Sequence, residues 1–167
     1  MNRPPALVTV IGKSGCGKTT LLEKLVAEFK RRGLKVATVK HHSHRGFAID
    51  QPGKDSWRFA RAGSDHVVIA APDKIAAYRK IERELSLDEI AAEITDVDLI
   101  LVEGYRQAEK PSLEVMRAGN SREVIGSREQ RFALASDFPL DLGVPQFGLD
   151  EIPAIADLIE ARFLSMT

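Results

Sequence analysis

The sequence predicts a single-domain α/β fold in which a mostly parallel sheet is flanked by helices. Short apolar runs rich in β-branched residues alternate with segments of helical period, as is typical of βαβ units. The residues GKSGCGKT stand between the first apolar run and the first helical segment, at positions 12–19. A chain of 167 residues is long enough to bury one core. We therefore expect one domain over residues 1–167.

The first part of the chain predicts a strand, a helix and a second strand. The apolar run at 6–11 is the first strand, and apolar residues then recur at helical spacing over 21–29. Three basic residues followed by Gly33 mark the end of that helix. Residues 35–40 predict the second strand. The polar loop after it, at 41–53, is long for a structural connection, which favours a functional role.

The middle of the chain predicts two further helices and two strands. A short helix is expected over 54–62 and a strand over 67–71. Ser86 and Glu89 have the spacing of a capping box, which predicts the start of another helix. Residues 98–102 form the clearest buried strand.

The last part of the chain predicts two strands and a final helix. The strands are expected at 113–116 and 131–135, separated by the polar segment 117–130, which we expect to be a mobile loop. Asp150 is the expected N-cap of an amphipathic helix whose apolar residues lie within 155–163.

Composition narrows the class of partner. The 24 basic and 24 acidic residues cancel, so neither nucleic acid nor a membrane surface is an expected partner. Cys16 is the only cysteine, which excludes an intramolecular disulfide and fits a reducing cytoplasm. No apolar stretch resembles a signal peptide or approaches the roughly 18 residues of a membrane span. The sequence predicts a cytoplasmic protein that binds a small molecule or another protein.

The glycine-rich motif has the pattern GxxxxGK[ST], which predicts a P-loop NTPase. Its backbone N–H groups and the helix N-terminus surround the phosphates, and its glycines permit their close approach. Lys18 is expected to reach the β and γ phosphates, and the Thr19 hydroxyl to ligate Mg²⁺. The residues expected to contact the nucleotide here are Gly12, Lys13, Ser14, Gly15, Cys16, Gly17, Lys18, Thr19 and Thr20.

Lys13, at the second position of the motif, has two interpretations. In one subclass of dimeric P-loop proteins a lysine here reaches the nucleotide of the partner subunit. Alternatively, it is a solvated surface lysine.

A P-loop protein needs an acid near the magnesium, and that acid must follow its strand because ligands gather at the carboxyl ends of parallel strands. Asp98 stands at the start of the strand at 98–102, whereas Glu103 stands at its exit. Gly104 then allows the backbone to turn close to the phosphates. We therefore predict that Glu103 holds Mg²⁺ or orients the attacking water.

Two aspartates in the long loop region are further candidates. Asp50 and Asp55 lie where many P-loop proteins have a segment that senses the γ-phosphate. Asp55 also fits the role of a helix N-cap. The residues assigned to catalysis are Lys18, Glu103 and Asp50, and those assigned to the metal are Thr19, Asp50 and Glu103.

Three histidines follow the second strand. His41, His42 and His44 are candidates either for metal binding or for contact with a phosphate or acidic ligand. His66, at the start of a strand, is expected to be structural.

The blocks GKSGCGKTTLLEKL, VKHH, IDQPGKDSWRFARAG and DLILVEGYR together resemble the molybdopterin-guanine dinucleotide biosynthesis adaptor family, MobB, across nearly the whole chain. PGKDSWR is the most diagnostic part, because the first block occurs in many unrelated enzymes. The resemblance implies a homodimeric GTP-binding protein with slow Mg²⁺-dependent GTPase activity. It also implies that the protein assists MobA, the nucleotidyltransferase that attaches GMP to the molybdenum cofactor, by handing over nucleotide or molybdopterin.

The resemblance also extends the nucleotide site. It implies that Glu103 and Gly104 form the second phosphate-site motif, and that the loop block lines the same cleft. The members of that block are Asp50, Gly53, Lys54 and Asp55.

Guanine recognition has no standard signature here. The NKxD motif is absent, since neither Asn2 nor Asn120 is followed by lysine. Ser136 and Asp137, after the strand at 131–135, either supply a carboxylate to the guanine edge or form an ordinary polar turn.

Two other functions remain alternatives. A small-molecule kinase needs an arginine-bearing lid over the phosphates, and Arg122 and Arg128 would supply it. A nucleotide-gated metallochaperone would use the histidine cluster.

Overall fold

The computed structural model describes residues 4–42 and 46–165, which form two compact units. The larger unit combines the chain up to His41 with the chain from Ser86 onward, and the smaller unit runs from His42 to Leu85. The single domain expected over residues 1–167 stays a prediction.

The described strands and helices follow the predicted alternation in the larger unit. The strands are β1 (Ala6–Ile11), β2 (Val36–Lys40), β3 (His66–Ala71), β4 (Lys74–Arg79), β5 (Leu99–Glu103), β6 (Ser112–Met116), β7 (Arg131–Ser136) and β8 (Gln146–Phe147). The helices are α1 (Lys18–Arg31), α2 (Asp55–Arg61), α3 (Leu87–Ala92) and α4 (Ile152–Ile159), the last continued by a π-helical turn, Glu160–Leu164.

Six strands form one sheet in the order β2-β5-β1-β6-β7-β8, and every neighbouring pair is parallel. The central strands are apolar along most of their length because layers cover both faces of the sheet. Helices α1 and α4 pack on one face around Leu25, Phe29 and Ile155. Leu87 of α3 packs with Ile100 and Val102 in a separate cluster. The predicted α/β fold with a mostly parallel sheet is therefore confirmed.

Local sequence signals account for two of the helix ends. Ser86 and Glu89 form the predicted capping box, with both reciprocal hydrogen bonds present. Gly33, with φ of +84°, follows α1 in the left-handed conformation that ends many helices.

The expected N-cap of α4 was wrong by one residue. Glu151 occupies the N-cap position, and its carboxylate accepts from the backbone N–H of Gly148 at 2.5 Å. The Asp150 carboxylate instead accepts from the Lys24 ammonium at 2.6 Å. Asp150 is thus paired with Lys24 of α1 and does not cap α4.

The smaller unit consists of α2 and an antiparallel hairpin of β3 and β4. Strand β4 was not predicted, because the turn at Pro72 and Asp73 lacks the Asn-Gly or Asp-Gly pair that announces a tight hairpin. Asp55 is the first residue of α2, and Lys54 occupies the N-cap position expected for Asp55. Among the residues described, no helix is long and apolar enough to cross a membrane.

Candidate nucleotide site

The glycine-rich loop begins where β1 ends and makes a turn that only glycine accommodates at its first position. Gly12 has φ of +152°, and a Cβ there would lie 2.4 Å from the carbonyl oxygen of Val115 on the neighbouring strand. Gly15 and Gly17 also have positive φ. The loop can therefore run close to β6 and expose its backbone toward the carboxyl edge of the sheet.

Lys18 is held over the loop by the loop itself. Its ammonium donates to the carbonyl oxygens of Gly12 at 3.0 Å and Lys13 at 2.8 Å. Helix α1 begins at Lys18, and its N-cap, Gly17, has no side chain that accepts from the first N–H groups. Those donors and the lysine are therefore available to a phosphate chain.

Thr19 and Glu103 meet across the sheet edge, although 84 positions separate them in the chain. The Thr19 hydroxyl donates to a Glu103 carboxylate oxygen at 2.9 Å, and the Lys40 ammonium lies 3.6 Å from the other oxygen. A hydroxyl and a carboxylate are ligands that Mg²⁺ accepts, and here the two groups lie beside the glycine-rich loop. Asp98 lies at the opposite edge, where it accepts from the Lys35 backbone N–H at 2.7 Å.

Gly104 lets the chain turn immediately after Glu103. Its φ is +94°, its N–H donates to Val10 O at 3.0 Å, and a Cβ there would approach the Cβ of His41 to 3.0 Å. The His41 ring packs against Tyr105, with ring centroids 4.4 Å apart. His41 therefore contributes to packing beside the site.

The remaining histidines do not add a metal centre to the described structure. In the smaller unit, the His42 ring lies 5.8 Å from the Phe47 ring. His44 lies outside the described residues, and His66 is an exposed residue at the start of β3. Within residues 4–42 and 46–165, no three His, Cys, Asp or Glu side chains are grouped closely enough to hold a metal ion.

The segment between β6 and β7 contacts the glycine-rich loop, which the sequence did not predict. The Lys13 ammonium forms an ion pair with Glu123 of the same chain at 2.7 Å. The side-chain amide of Asn120 donates to the carbonyl oxygen of Ser14 at 2.9 Å. Neither Asn120 nor Glu123 belongs to a recognisable motif. Only the position of the segment between two strands of a parallel sheet hinted at this contact.

The same segment replaces the helix that usually connects two parallel strands, and a buried ion pair holds it. The fully buried Glu114 carboxylate accepts from Arg131 Nε at 2.7 Å and from the backbone N–H of Ile125 at 2.6 Å. Arg131 also donates to the carbonyl oxygen of Gly126 at 2.5 Å. These contacts hold the part of the segment around Ile125 and Gly126, and the predicted mobility of residues 117–130 stays a prediction.

Ser136 and Asp137 both make hydrogen bonds near the end of β7. The Ser136 hydroxyl donates to Phe138 O at 2.7 Å, and an Asp137 carboxylate oxygen accepts from the Ala118 N–H at 2.7 Å. Asp137 thus ties the exits of β6 and β7 together. Its role toward guanine stays a prediction.

The loop-block residues belong to the smaller unit. Asp50 accepts from the Tyr78 hydroxyl at 3.0 Å, and hydrogen bonding, chiefly from Ser56, lowers the pKa of its carboxyl group. Gly53 has φ of +89°, and Lys54 precedes α2 in an extended conformation. Asp50 thus has a structural partner in its own unit. Its role at the metal, and those of Gly53 and Lys54 at the nucleotide, stay predictions.

Comparison with known proteins places this geometry in a family. Residues 7–137 match the family model described as molybdopterin guanine dinucleotide synthesis protein B, MobB. The chain is 38% identical over 162 residues to a molybdopterin-guanine dinucleotide biosynthesis adapter protein of Haemophilus influenzae, covering 96% of this chain and 90% of that protein. A protein of the same description from Escherichia coli is 34% identical over 152 residues, covering 87% of this chain and 86% of the relative.

Solved structures agree with the fold. A crystal structure of molybdopterin-guanine biosynthesis protein B is 30% identical, with a TM-score of 0.72, and the match covers 93% of this chain and 98% of that one. The structure of MobB from Bacillus subtilis has a TM-score of 0.78 at 22% identity, covering 96% and 99% of the two chains, and supports the fold alone.

Proposed function

The chain belongs to the MobB family of molybdopterin-guanine dinucleotide biosynthesis adapters, and from that premise we propose that it is a GTP-binding adaptor with slow Mg²⁺-dependent GTPase activity. The observation that carries the proposal is the glycine-rich loop with Lys18 above it and the Thr19–Glu103 pair beside it. The backbone donors, one ammonium and a pair of metal ligands are the parts that bind a triphosphate.

In this proposal, the protein acts by binding and orienting the triphosphate and the attacking water, and it forms no covalent intermediate with the nucleotide. Lys18 exchanges the carbonyl oxygens of Gly12 and Lys13 for phosphate oxygens, and the N-terminus of α1 donates to the same chain. Thr19 and Glu103 would hold Mg²⁺, which neutralises charge on the β and γ phosphates when it is bound. Glu103 already accepts from Thr19, so the two proposed metal ligands lie together beside the glycine-rich loop.

The proposed partner is MobA, the nucleotidyltransferase that attaches GMP to the molybdenum cofactor, with molybdopterin as a shared ligand. Support comes from the relatives, which are described as adapter proteins, since an adapter acts on or with another protein. Whether GTP or GDP is bound would control docking to the nucleotidyltransferase, so hydrolysis would set how long the complex lasts.

We also propose a homodimer, because the smaller unit leaves apolar side chains uncovered. Two-stranded hairpins are marginally stable alone, and large exposed apolar patches mark interaction surfaces. All the large apolar residues that are exposed in the described structure, except Val124, lie in this unit. They are Phe47, Ile49, Phe59, Val68, Ile69, Ile75 and Ile81.

The test is binding and turnover of GTP and of ATP with Mg²⁺, measured by calorimetry and phosphate release, with and without purified nucleotidyltransferase and molybdopterin. The proposal expects preference for GTP, slow turnover, and a complex whose affinity differs between the GTP and GDP forms. Lys18→Ala should abolish triphosphate binding. Rapid transfer of phosphate to a small acceptor would indicate the kinase alternative. Tight stoichiometric Ni²⁺ or Zn²⁺ binding lost in a His41→Ala, His42→Ala variant would indicate the metallochaperone.

A further inference from the structure

The segment that follows β6, residues 117–130, lies beside the phosphate cradle, by which we mean the glycine-rich loop and the N-terminus of α1. Asn120 binds the carbonyl oxygen of Ser14, and Glu123 binds the ammonium of Lys13, so the segment contacts the tip of the loop at two points. A Cβ built on Gly15 would lie 3.1 Å from the Asn120 amide nitrogen. Between β6 and these contacts stands Arg117, the first residue after the strand.

The Arg117 side chain reaches the base of the cradle. A Cβ built on Gly17 would lie 3.4 Å from one terminal guanidinium nitrogen of Arg117. Gly17 is the N-cap of α1 and immediately precedes Lys18, so this nitrogen lies beside the helix N-terminus where phosphates bind. The absence of a side chain on Gly17 leaves the guanidinium an open approach to that position.

The backbone of Arg117 is held by a tight turn. Its carbonyl oxygen accepts from the N–H groups of Asn120 at 2.9 Å and Ser121 at 3.0 Å. The next residue, Ala118, donates to the Asp137 carboxylate at 2.7 Å. These contacts fix the point on the chain from which the Arg117 side chain extends toward the glycine-rich loop.

The guanidinium has no strong partner in the described part of the chain. Within residues 4–42 and 46–165, the Arg117 side chain donates no hydrogen bond of 3.5 Å or less and forms no ion pair of 4.0 Å or less. Asp150 is near enough for the charge of Arg117 to contribute to lowering its pKa, but Lys24 takes the Asp150 carboxylate and is the main cause of that shift. An arginine that faces a phosphate cradle without a carboxylate partner is suited to bind an anion there.

We propose that Arg117 is a phosphate-binding residue, whose guanidinium donates to the phosphate chain of a nucleotide held by the glycine-rich loop. This inference rests on the proposed function, because it adds a residue to the same triphosphate site. It assigns to the β6 exit a role that none of the sequence motifs suggested. The backbone of Arg117 is held by its turn, and its guanidinium is open to an anion beside Gly17.

The experiment compares full-length wild type with Arg117→Gln, Arg117→Lys, Arg162→Gln and Lys18→Ala by calorimetry with GTP and with inorganic tripolyphosphate, each with Mg²⁺. Arg162 is the control, because it belongs to the π-helical turn after α4 and its guanidinium lies 5.8 Å from the centroid of the Phe132 ring. We expect Arg117→Gln to weaken both ligands by about 10- to 100-fold, as for a lost charge-assisted hydrogen bond. Arg117→Lys should retain part of the affinity, and Arg162→Gln should match wild type.

The outcomes separate this proposal from the one on which it rests. If wild type binds GTP, Lys18→Ala does not, and Arg117→Gln binds both ligands like wild type, Arg117 has no phosphate contact and the inference is overturned. Loss of GTP affinity without loss of tripolyphosphate affinity also overturns it, since the contact is then to the nucleoside. If wild type binds neither ligand, the proposed function itself fails. Thermal unfolding of each variant establishes that the compared proteins are folded. If Arg117→Gln does not fold, Arg117→Lys takes its place as the test variant.

Discussion

Glu103 ends β5 directly across the sheet edge from the glycine-rich loop, and one hydrogen bond to Thr19 joins the two motifs. Its side chain is only 16% exposed, so the carboxylate is held between Thr19 and Lys40. Asp98, at the other end of the same strand, accepts a backbone hydrogen bond instead. Which end of a strand a carboxylate occupies therefore decides whether it can face the proposed nucleotide site.

Replacing Glu103 with glutamine is expected to raise the Mg²⁺ concentration needed for half-maximal GTP turnover by about 10-fold or more, since a neutral amide is a weaker metal ligand. Phosphate release measured across a Mg²⁺ titration tests this. Asp98→Asn is the matched control and should leave the Mg²⁺ dependence unchanged. An unchanged Mg²⁺ requirement in Glu103→Gln would remove Glu103 from the metal site.

Gly12 tests the geometry of the loop. Gly12→Ala places a methyl group 2.4 Å from Val115 O and 2.6 Å from Cys16 Sγ, at a positive φ. We expect it to lower the free energy of unfolding by at least about 2 kcal/mol, because backbone must move to relieve the overlap. Gly119→Ala is the control, since nothing lies within 4 Å of its Cβ position. Equal urea midpoints for the two variants would contradict this account.

At the scale of elements, α1 is tied to α4 by a cluster of charges at its C-terminal end. Arg32 pairs with Glu28 at 2.8 Å and with Asp157 at 2.7 Å and Glu160 at 3.0 Å, and Arg31 also pairs with Glu28 at 2.7 Å. Basic residues at a helix C-terminus also interact favourably with its dipole. The cluster joins the two helices that cover one face of the sheet.

This cluster predicts a specific response to acid. Hydrogen bonds from Arg31 and then Arg32 lower the pKa of Glu28 from 4.5 to about 2. A lowered carboxyl pKa contributes stability that is fully present above about pH 4.5 and is lost as the pH falls toward 2. The stability difference between wild type and Glu28→Gln should therefore shrink over that range in urea unfolding. A difference independent of pH would show that Glu28 does not carry the effect.

The connection between β6 and β7 depends on the buried Glu114–Arg131 pair. Glu114→Ala should lower the free energy of unfolding by about 3–5 kcal/mol, because it leaves a buried guanidinium uncompensated. The double variant Glu114→Leu, Arg131→Met should recover much of that loss, which denaturant titration would measure. Lys24→Ala breaks an exposed pair and should cost no more than about 1 kcal/mol. Equal losses for the buried and exposed pairs would contradict the importance of burial.

At the scale of the whole molecule, apolar surface is distributed unevenly between the two units. Ile75 is 73% exposed and Val68 is 55% exposed, and the register places both on one face of the hairpin of the smaller unit. Such surface is costly in water and is normally covered in the functional assembly. The proposed homodimer gives it a partner.

The double variant Val68→Lys, Ile75→Lys should shift the protein from dimer to monomer in sedimentation velocity. Val68 and Ile75 lie on the same face of the hairpin, so two charges would be buried in the proposed interface. Val124→Lys is the control, since Val124, at 37% exposure, is the large exposed apolar residue that the structure describes in the larger unit. A wild type that sediments as a monomer at all concentrations would contradict the dimer. So would a double variant that remains dimeric.

Local patterns in the sequence were enough for the parallel fold and for the parts of the site that are continuous in the chain. The glycine-rich loop, the capping box at Ser86 and the apolar strands are each recognisable because hydrophobic period, glycine position and capping chemistry act over a few residues. The choice of Glu103 over Asp98 also came from the sequence, through the rule that ligands meet the carboxyl ends of parallel strands.

Only the tertiary structure decided which distant residues meet. Strand β5 lies between β1 and β2, which brings Glu103 to Thr19, and the segment after β6 lies against the loop, which brings Asn120, Glu123 and Arg117 to the cradle. Asp150 was predicted to cap α4, but tertiary packing pairs it with Lys24 instead. The physical reason is that the polarity of a side chain shows that it needs water or another polar group as a hydrogen-bond partner. Which group becomes that partner depends on strand order and packing.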